Sequence, residues 1–168
     1  MKHRRATVAD LGSGLAPFLG LGFGSGLMPF APGTFGTLAA VPVFLLLSYG
    51  GQAIYLGGLL AITVSGVWIC GQSAKVLESH DHPAIVWDEI AGFLVTMVPV
   101  DATFINVVCG FILFRFFDII KPWPIKWADR QVGGGVGIML DDVLAGLLAG
   151  VALWILNTWN PAGFFLSS

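Results

Sequence analysis

IMLDDVLAGLLAGVALWILN, residues 138–157, is apolar throughout except for two adjacent acids near one end and an Asn at the other. About 20 such residues in a helix cross the roughly 30 Å hydrocarbon core of a bilayer, so a spanning helix with Asp141-Asp142 at its very start is predicted. AIYLGGLLAITVSGVWICGQ at 53–72 is a second span and ATFINVVCGFILFRFFDI at 102–119 a third. Residues 89–100 form a shorter segment, with Pro99 and Asp101 marking a tight return, and 37–49 is another, ending at the Gly50-Gly51 turn. Composition agrees. The chain is 56% hydrophobic and 11% charged, with a mean hydropathy of +0.85, which excludes the soluble enzyme classes. Its 168 residues are enough for one bundle of a few spans, so residues 1–168 are expected to be a single membrane-embedded domain. The fold class is therefore an all-α integral-membrane helical bundle.

The stretch from Leu11 to Gly36 reads differently. Glycines at 12, 14, 20, 22, 24, 26, 33 and 36, with Pro17, Pro29 and Pro32, weaken any helix there. Parity bears on its course. If 37–49 goes out and 53–72 returns, loop 73–88 shares a side with Thr34, and the hairpin 89–120 returns loop 120–137 to that side. Lys2, Arg4, Arg5, Lys75, Lys121, Lys126 and Arg130 then lie on one face, which the positive-inside rule makes cytoplasmic. A full span over 11–31 would put the N-terminal basic cluster on the opposite face. A re-entrant or interfacial Gly-rich N-terminal segment is the expectation, tolerated where protein buries it. The basic N-terminus resembles the front of a signal peptide but lacks an Ala-x-Ala site, and it is read as retained. Cys70 and Cys109 lie in apolar stretches and are expected to pack rather than pair.

The same parity brings three acidic clusters together: Asp88-Glu89 opening one segment, Asp118 closing the next, and Asp141-Asp142 opening the last. Any one could be a helix cap. Asp118 is at a C-terminal end, where the dipole disfavours an anion, so a cation must offset it: Arg115, Lys121, or a divalent ion held by oxygens from several helices. Carboxylates are expensive near a bilayer, and five converging ones suggest a shared cation site. Asp142, Gly146 and Gly150 share one stripe, which lets another helix approach closely and turns Asp142 inward. Arg115, Asp118 and Lys121 make a polar stripe on the preceding span.

The loop Lys121-Pro122-Trp123-Pro124-Ile125-Lys126-Trp127-Ala128-Asp129-Arg130 carries interfacial anchors, but cations beside carboxylates also suit an anionic substrate bridged by a metal, with phosphate the natural candidate. Gly33-Thr34-Phe35-Gly36-Thr37 could cap a helix or offer backbone N–H groups to phosphate. His80-Asp81-His82-Pro83 could bind a metal, though such loop residues are more often solvated. Cys109 to Arg115 has the C-x5-R spacing of cysteine phosphatases, but it lies in a spanning helix whose N–H groups are bonded internally and cannot cradle phosphate.

Over GFGSGLMPFAPGTFGTLAAVP at 22–42, HDHPAIVWDEIAGF at 80–93 and FRFFDIIKPWPIKWADRQVGGGVGIMLDDVLAG at 114–146, the chain closely resembles the phosphatidylglycerophosphatase A family of bacterial membrane lipid phosphatases. The resemblance implies a magnesium-dependent enzyme of the inner membrane that removes the terminal phosphate of phosphatidylglycerophosphate, giving phosphatidylglycerol. Asp88, Glu89, Asp118, Asp141, Asp142, Lys121 and Arg130 match charged positions of the family's motifs. Chemistry then suggests one or two Mg²⁺ ions held by some of Asp88, Glu89, Asp118, Asp141 and Asp142, which would also make Asp88, Asp118, Asp141 and Asp142 the catalytic acids. Arg115, Lys121, Lys126 and Arg130 would bind the headgroup phosphates, with Thr34 and Thr37 as further substrate contacts. Attack by metal-activated water and a phospho-aspartate route are both open. The expected partners are the substrate and membrane lipids, and no nucleic acid. Two rivals are a divalent-cation transporter or channel, which needs acids near mid-bilayer and a continuous polar path, and a non-catalytic anionic-lipid-binding bundle, which leaves the converging acids without a purpose.

Overall fold

Residues apolar on every side leave burial to be decided by neighbours, and the long helices of this chain show that division. The structure is a computed structural model that describes residues 4–79 and 82–159, apart from the side chains of Asp129 and Arg130, and among the described residues every regular element is helical. Three short elements come first: α1 (Val8–Leu11), α2 (Leu15–Gly20) and a 3₁₀ helix at Gly22–Leu27. They are followed by α3 (Pro32–Tyr49), α4 (Gln52–Val76), α5 (Trp87–Met97), α6 (Phe104–Ile120), α7 (Ile125–Gln131) and α8 (Gly134–Thr158). Of these α3, α4 and α8 are long and apolar enough to cross a membrane. On α4 the stripe Tyr55, Gly66, Ile69, Cys70 and Ser73 is buried, while Ile54, Leu60, Val64 and Trp68 face outward, where a bilayer solvates them.

At the centre α8 packs against α4, α5, α6 and α7. Its partner α5 is short, about 16 Å, and buried on nearly all sides. The two run parallel in close contact because small residues face each other. A side chain at Gly146 would collide with the Gly92 carbonyl oxygen, one at Gly92 would stand 2.7 Å from the Asp142 carbonyl oxygen, and one at Gly150 3.2 Å from that of Thr96. The Thr96 hydroxyl donates to the Gly92 carbonyl at 3.0 Å, and Trp87 Nε1 donates to Ile62 O at 3.1 Å, tying α5 to α4.

Two boundaries differ from the sequence reading. Helix α3 starts at Pro32, a favoured first helical position, so Gly33–Thr37 are its first turns rather than a loop before it. Helix α8 starts at Gly134, so Asp141 and Asp142 stand about two turns inside it and are not caps. Gly135 explains the extension: it lies against the Val67 carbonyl of α4, where any side chain would collide, so packing overrides the poor helix propensity of glycine.

The N-terminal elements cannot cross a membrane, α2 being about 9 Å long. They dock on the C-terminal half of α4 and the loop after it. Ser73 Oγ donates to Ala16 O at 3.1 Å, and Val86 N donates to Gly20 O at 2.8 Å. Arg4 pairs with Asp10 at 2.6 Å and donates to Val76 O at 3.1 Å. The Arg4 guanidinium, aided by hydrogen bonds from Thr7, holds the Asp10 carboxyl well below the usual carboxylate range. Cys70 and Cys109 are free thiols.

Candidate active site

Four helix ends or first turns meet at one end of the bundle. The starts of α3 and α5, the end of α6 and the first half of α8 enclose a cleft of about 370 Å³ lined by Pro32, Gly33, Asp88, Glu89, Arg115, Asp118, Lys121, Asp141 and Asp142 among others. The side-by-side run of α5 and α8 sets its floor. Asp88, Gly92 and Thr96 follow at four-residue spacing on α5, as Asp142, Gly146 and Gly150 do on α8. Parallel contact through the glycines therefore brings the acids level with each other. One carboxylate oxygen from each of Asp88, Glu89 and Asp142 can be chosen so that all lie within 4.8 Å of one another.

Two cations stand beside this cluster. Arg115 Nη1 is 2.6 Å from Asp118 Oδ2, 3.8 Å from Glu89 Oε1 and 3.5 Å from the Thr37 hydroxyl. Asp118 at the C-terminal end of α6 is thus offset by the arginine one turn before it. Lys121 ends α6 in a left-handed conformation, φ 45°, a cost of about 1 kcal/mol or more for a non-glycine residue. That turn places Nζ 2.5 Å from Asp141 Oδ2. Five carboxyl groups and two cationic side chains line the cleft, leaving an excess of negative charge that low-dielectric surroundings make costly. Glu89 Oε2 is buried with no hydrogen-bond partner among the described residues. An all-oxygen carboxylate set with a spare acceptor is what a hard divalent cation binds.

The first turn of α3 closes the cleft opposite. A side chain on Gly33 would collide with Glu89 Oε1 and stand 3.0 Å from Arg115 Nη1. Glycine there lets the positive end of α3 approach the charged groups, an arrangement suited to an anion.

The remaining sequence candidates are distributed differently. Thr37 is buried, its hydroxyl donating to Gly33 O at 2.9 Å, and it supports Arg115. Thr34 is half-buried on α3 and does not line the cleft, nor does Lys126, which is exposed on α7. The Arg130 side chain, His80 and Asp81 lie outside the described residues. His82 is buried and structural: Nδ1 accepts from Ala84 N at 3.1 Å and Nε2 meets Arg4 O at 2.7 Å. Cys109 is half-buried on α6 and apart from the cleft lining. Gly33 and Gly92 carry more of the geometry than the sequence reading gave them. The matched spacing of Asp88-x3-Gly92 and Asp142-x3-Gly146 was the available signal.

The chain is similar to known proteins over most of its length. The sequence profile described as Phosphatidylglycerophosphatase A matches residues 18–157, a span that includes every acid and base of the cleft. Phosphatidylglycerophosphatase A of Escherichia coli is 45% identical over 148 residues, covering 86% of this chain and 85% of that one. The Haemophilus influenzae protein of the same name is 38% identical over 143 residues, with 84% and 88% covered. A Bacteroides thetaiotaomicron protein provisionally named phosphatidylinositol-3-phosphatase is 37% identical over 158 residues, with 85% and 96% covered. No solved structure matches the chain. With the profile covering most of its length and a 45% identical relative covered over 85% of its own length, the chain belongs to the phosphatidylglycerophosphatase A family.

Proposed function

We propose that the chain hydrolyses the terminal phosphomonoester of phosphatidylglycerophosphate to phosphatidylglycerol and phosphate, as one membrane-embedded unit of the bacterial inner membrane with its active face toward the cytoplasm. The observation that carries this reading is the cleft itself: five carboxyl groups interleaved with Arg115 and Lys121 at one end of the helices. A transporter would need acids near mid-bilayer, whereas these gather at one end of the bundle.

Asp88, Glu89 and Asp142 are the residues that would hold Mg²⁺, and the buried spare oxygen of Glu89 supports that assignment. When bound, the ion supplies Lewis acidity toward the phosphoryl oxygens. Arg115 and the N-terminal turn of α3 would orient the phosphate and stabilise charge that develops on it. Lys121 exchanges partners on this reading, moving from Asp141 toward the headgroup and freeing that carboxylate to handle a proton. Asp118 holds Arg115 in position.

The test is phosphate release from phosphatidylglycerophosphate by purified protein in detergent, with Mg²⁺ and with chelator. Turnover that requires the added divalent ion is expected. Equal rates in chelator would remove the metal from the proposal, and no release from this lipid under either condition would remove the substrate.

A further inference from the structure

A second cavity, about 510 Å³ and almost wholly apolar, lies between α3 and α6. Its position along the two helices is informative. On α3, Gly33, Thr37, Val41 and Leu45 follow at four-residue spacing on one face. Gly33 lines the charged cleft, Thr37 touches Arg115, and Val41 and Leu45 line the groove. On α6, Asp118, Arg115, Phe111, Val108 and Phe104 form the matching face, the first two in the cleft and the other three in the groove. Each helix therefore carries one stripe that is charged at the cleft and apolar beyond it. The Thr37–Arg115 contact marks the change from one to the other. From Gly33 to Leu45 the stripe runs about 18 Å, comparable to one leaflet of the hydrocarbon core.

We infer that this groove seats one acyl chain of the phosphomonoester lipid while its headgroup occupies the cleft. The inference rests on the proposed phosphatase reading and deepens it. A glycerophospholipid has the same order of charge and apolarity over the same length, and the groove opens sideways, with Leu38, Val108 and Ile112 all exposed on the lipid-facing surface. The lipid enters laterally from its own leaflet without leaving the bilayer. Seating the chain fixes the depth of the phosphate, so binding energy remote from the reacting bond contributes to turnover.

The test compares kcat/KM on a long-chain phosphatidylglycerophosphate with kcat/KM on its deacylated, water-soluble headgroup. Val41→Trp and Val108→Trp fill the groove from opposite walls, with Val108→Phe as a milder variant. The long-chain to deacylated ratio should fall about tenfold or more in each, since overfilling a packed site costs on the scale of one such factor. Leu60→Trp, on the outer face of α4, should leave the ratio as in the wild type. The ratio is taken within one preparation, so loss of folded protein cancels. An unchanged ratio in the groove variants would overturn the inference and leave bulk lipid as the occupant. Wild-type protein that releases phosphate from neither compound would instead refute the phosphatase reading beneath it.

Discussion

Asp142 is 4% exposed and shares its surroundings with Asp88 and Glu89; on the proposed function such a carboxyl cluster, without a counter-ion, works against the fold while serving the chemistry. Asp142→Asn and Glu89→Gln should therefore have effects of opposite sign. Phosphate release should drop about 100-fold or more, the scale expected when a group that organises transition-state charge is lost. Thermal stability in chelator should rise, by about 1 kcal/mol, because each change removes one like charge from a buried group. Unfolding curves in chelator and calorimetric Mg²⁺ titrations check both halves. Variants that lose stability in chelator as well as activity would mark the acids as structural. Asp118→Asn should behave in the contrary way and destabilise in chelator, since it leaves Arg115 without its 2.6 Å partner.

At the scale of elements, the site depends on the register of α5 against α8. Gly146→Leu places a branched side chain where the Gly92 carbonyl already stands. The helices must separate, costing about 1–3 kcal/mol and spreading Asp142 from Asp88 and Glu89. Melting temperature and Mg²⁺ affinity should fall together. Gly57→Ala is the control, because nothing lies within 4 Å of a side chain there; it should be neutral or stabilising by about 0.5–1 kcal/mol. The N-terminal elements respond to pH instead. The Asp10 carboxyl is depressed in the folded state, chiefly by Arg4, so the stability it contributes is full above its ordinary value near 3.8 and is lost as pH falls below that. Asp10→Asn should loosen α1 and α2 at neutral pH, seen as faster proteolysis near the N-terminus. The difference from wild type should shrink as the medium is acidified below about pH 4.

For the whole molecule, the helix directions put the start of α3, the loop after α4, the start of α5, the end of α6 and the first half of α8 at one end of the bundle. With the basic residues concentrated there, that end should face the cytoplasm. Single cysteines at Ser79 and Lys126, in a chain whose Cys70 and Cys109 have been replaced, should resist an impermeant thiol reagent added outside intact cells and react once the membrane is opened. Labelling of either from outside would invert the topology and move the proposed reaction to the other face.

Hydrophobicity by itself determined that this chain is a helical membrane protein, because runs such as 138–157 have no other stable state in or near a bilayer. It also gathered the acids on one face, since an odd or even number of crossings fixes which loops share a side, although Asp141 and Asp142 stand about two turns inside α8 rather than at its start. Asp142 turning inward was legible for a local reason, the four-residue spacing to Gly146 and Gly150. What the sequence left open required contacts between distant segments. Glycines 134 and 135 read as loop and became helix, Gly135 because it lies directly against the Val67 carbonyl of α4. Lys126 and Lys121 looked equivalent until the turn at the end of α6 sent one into the cleft and α7 carried the other outward. Gly33 appeared to be a turn residue, and only the packing of α3 on Glu89 and Arg115 shows why a side chain is excluded there. Periodicity reports which face of a helix is buried; which partner buries it, and in what register, is decided by steric fit between residues far apart in the chain.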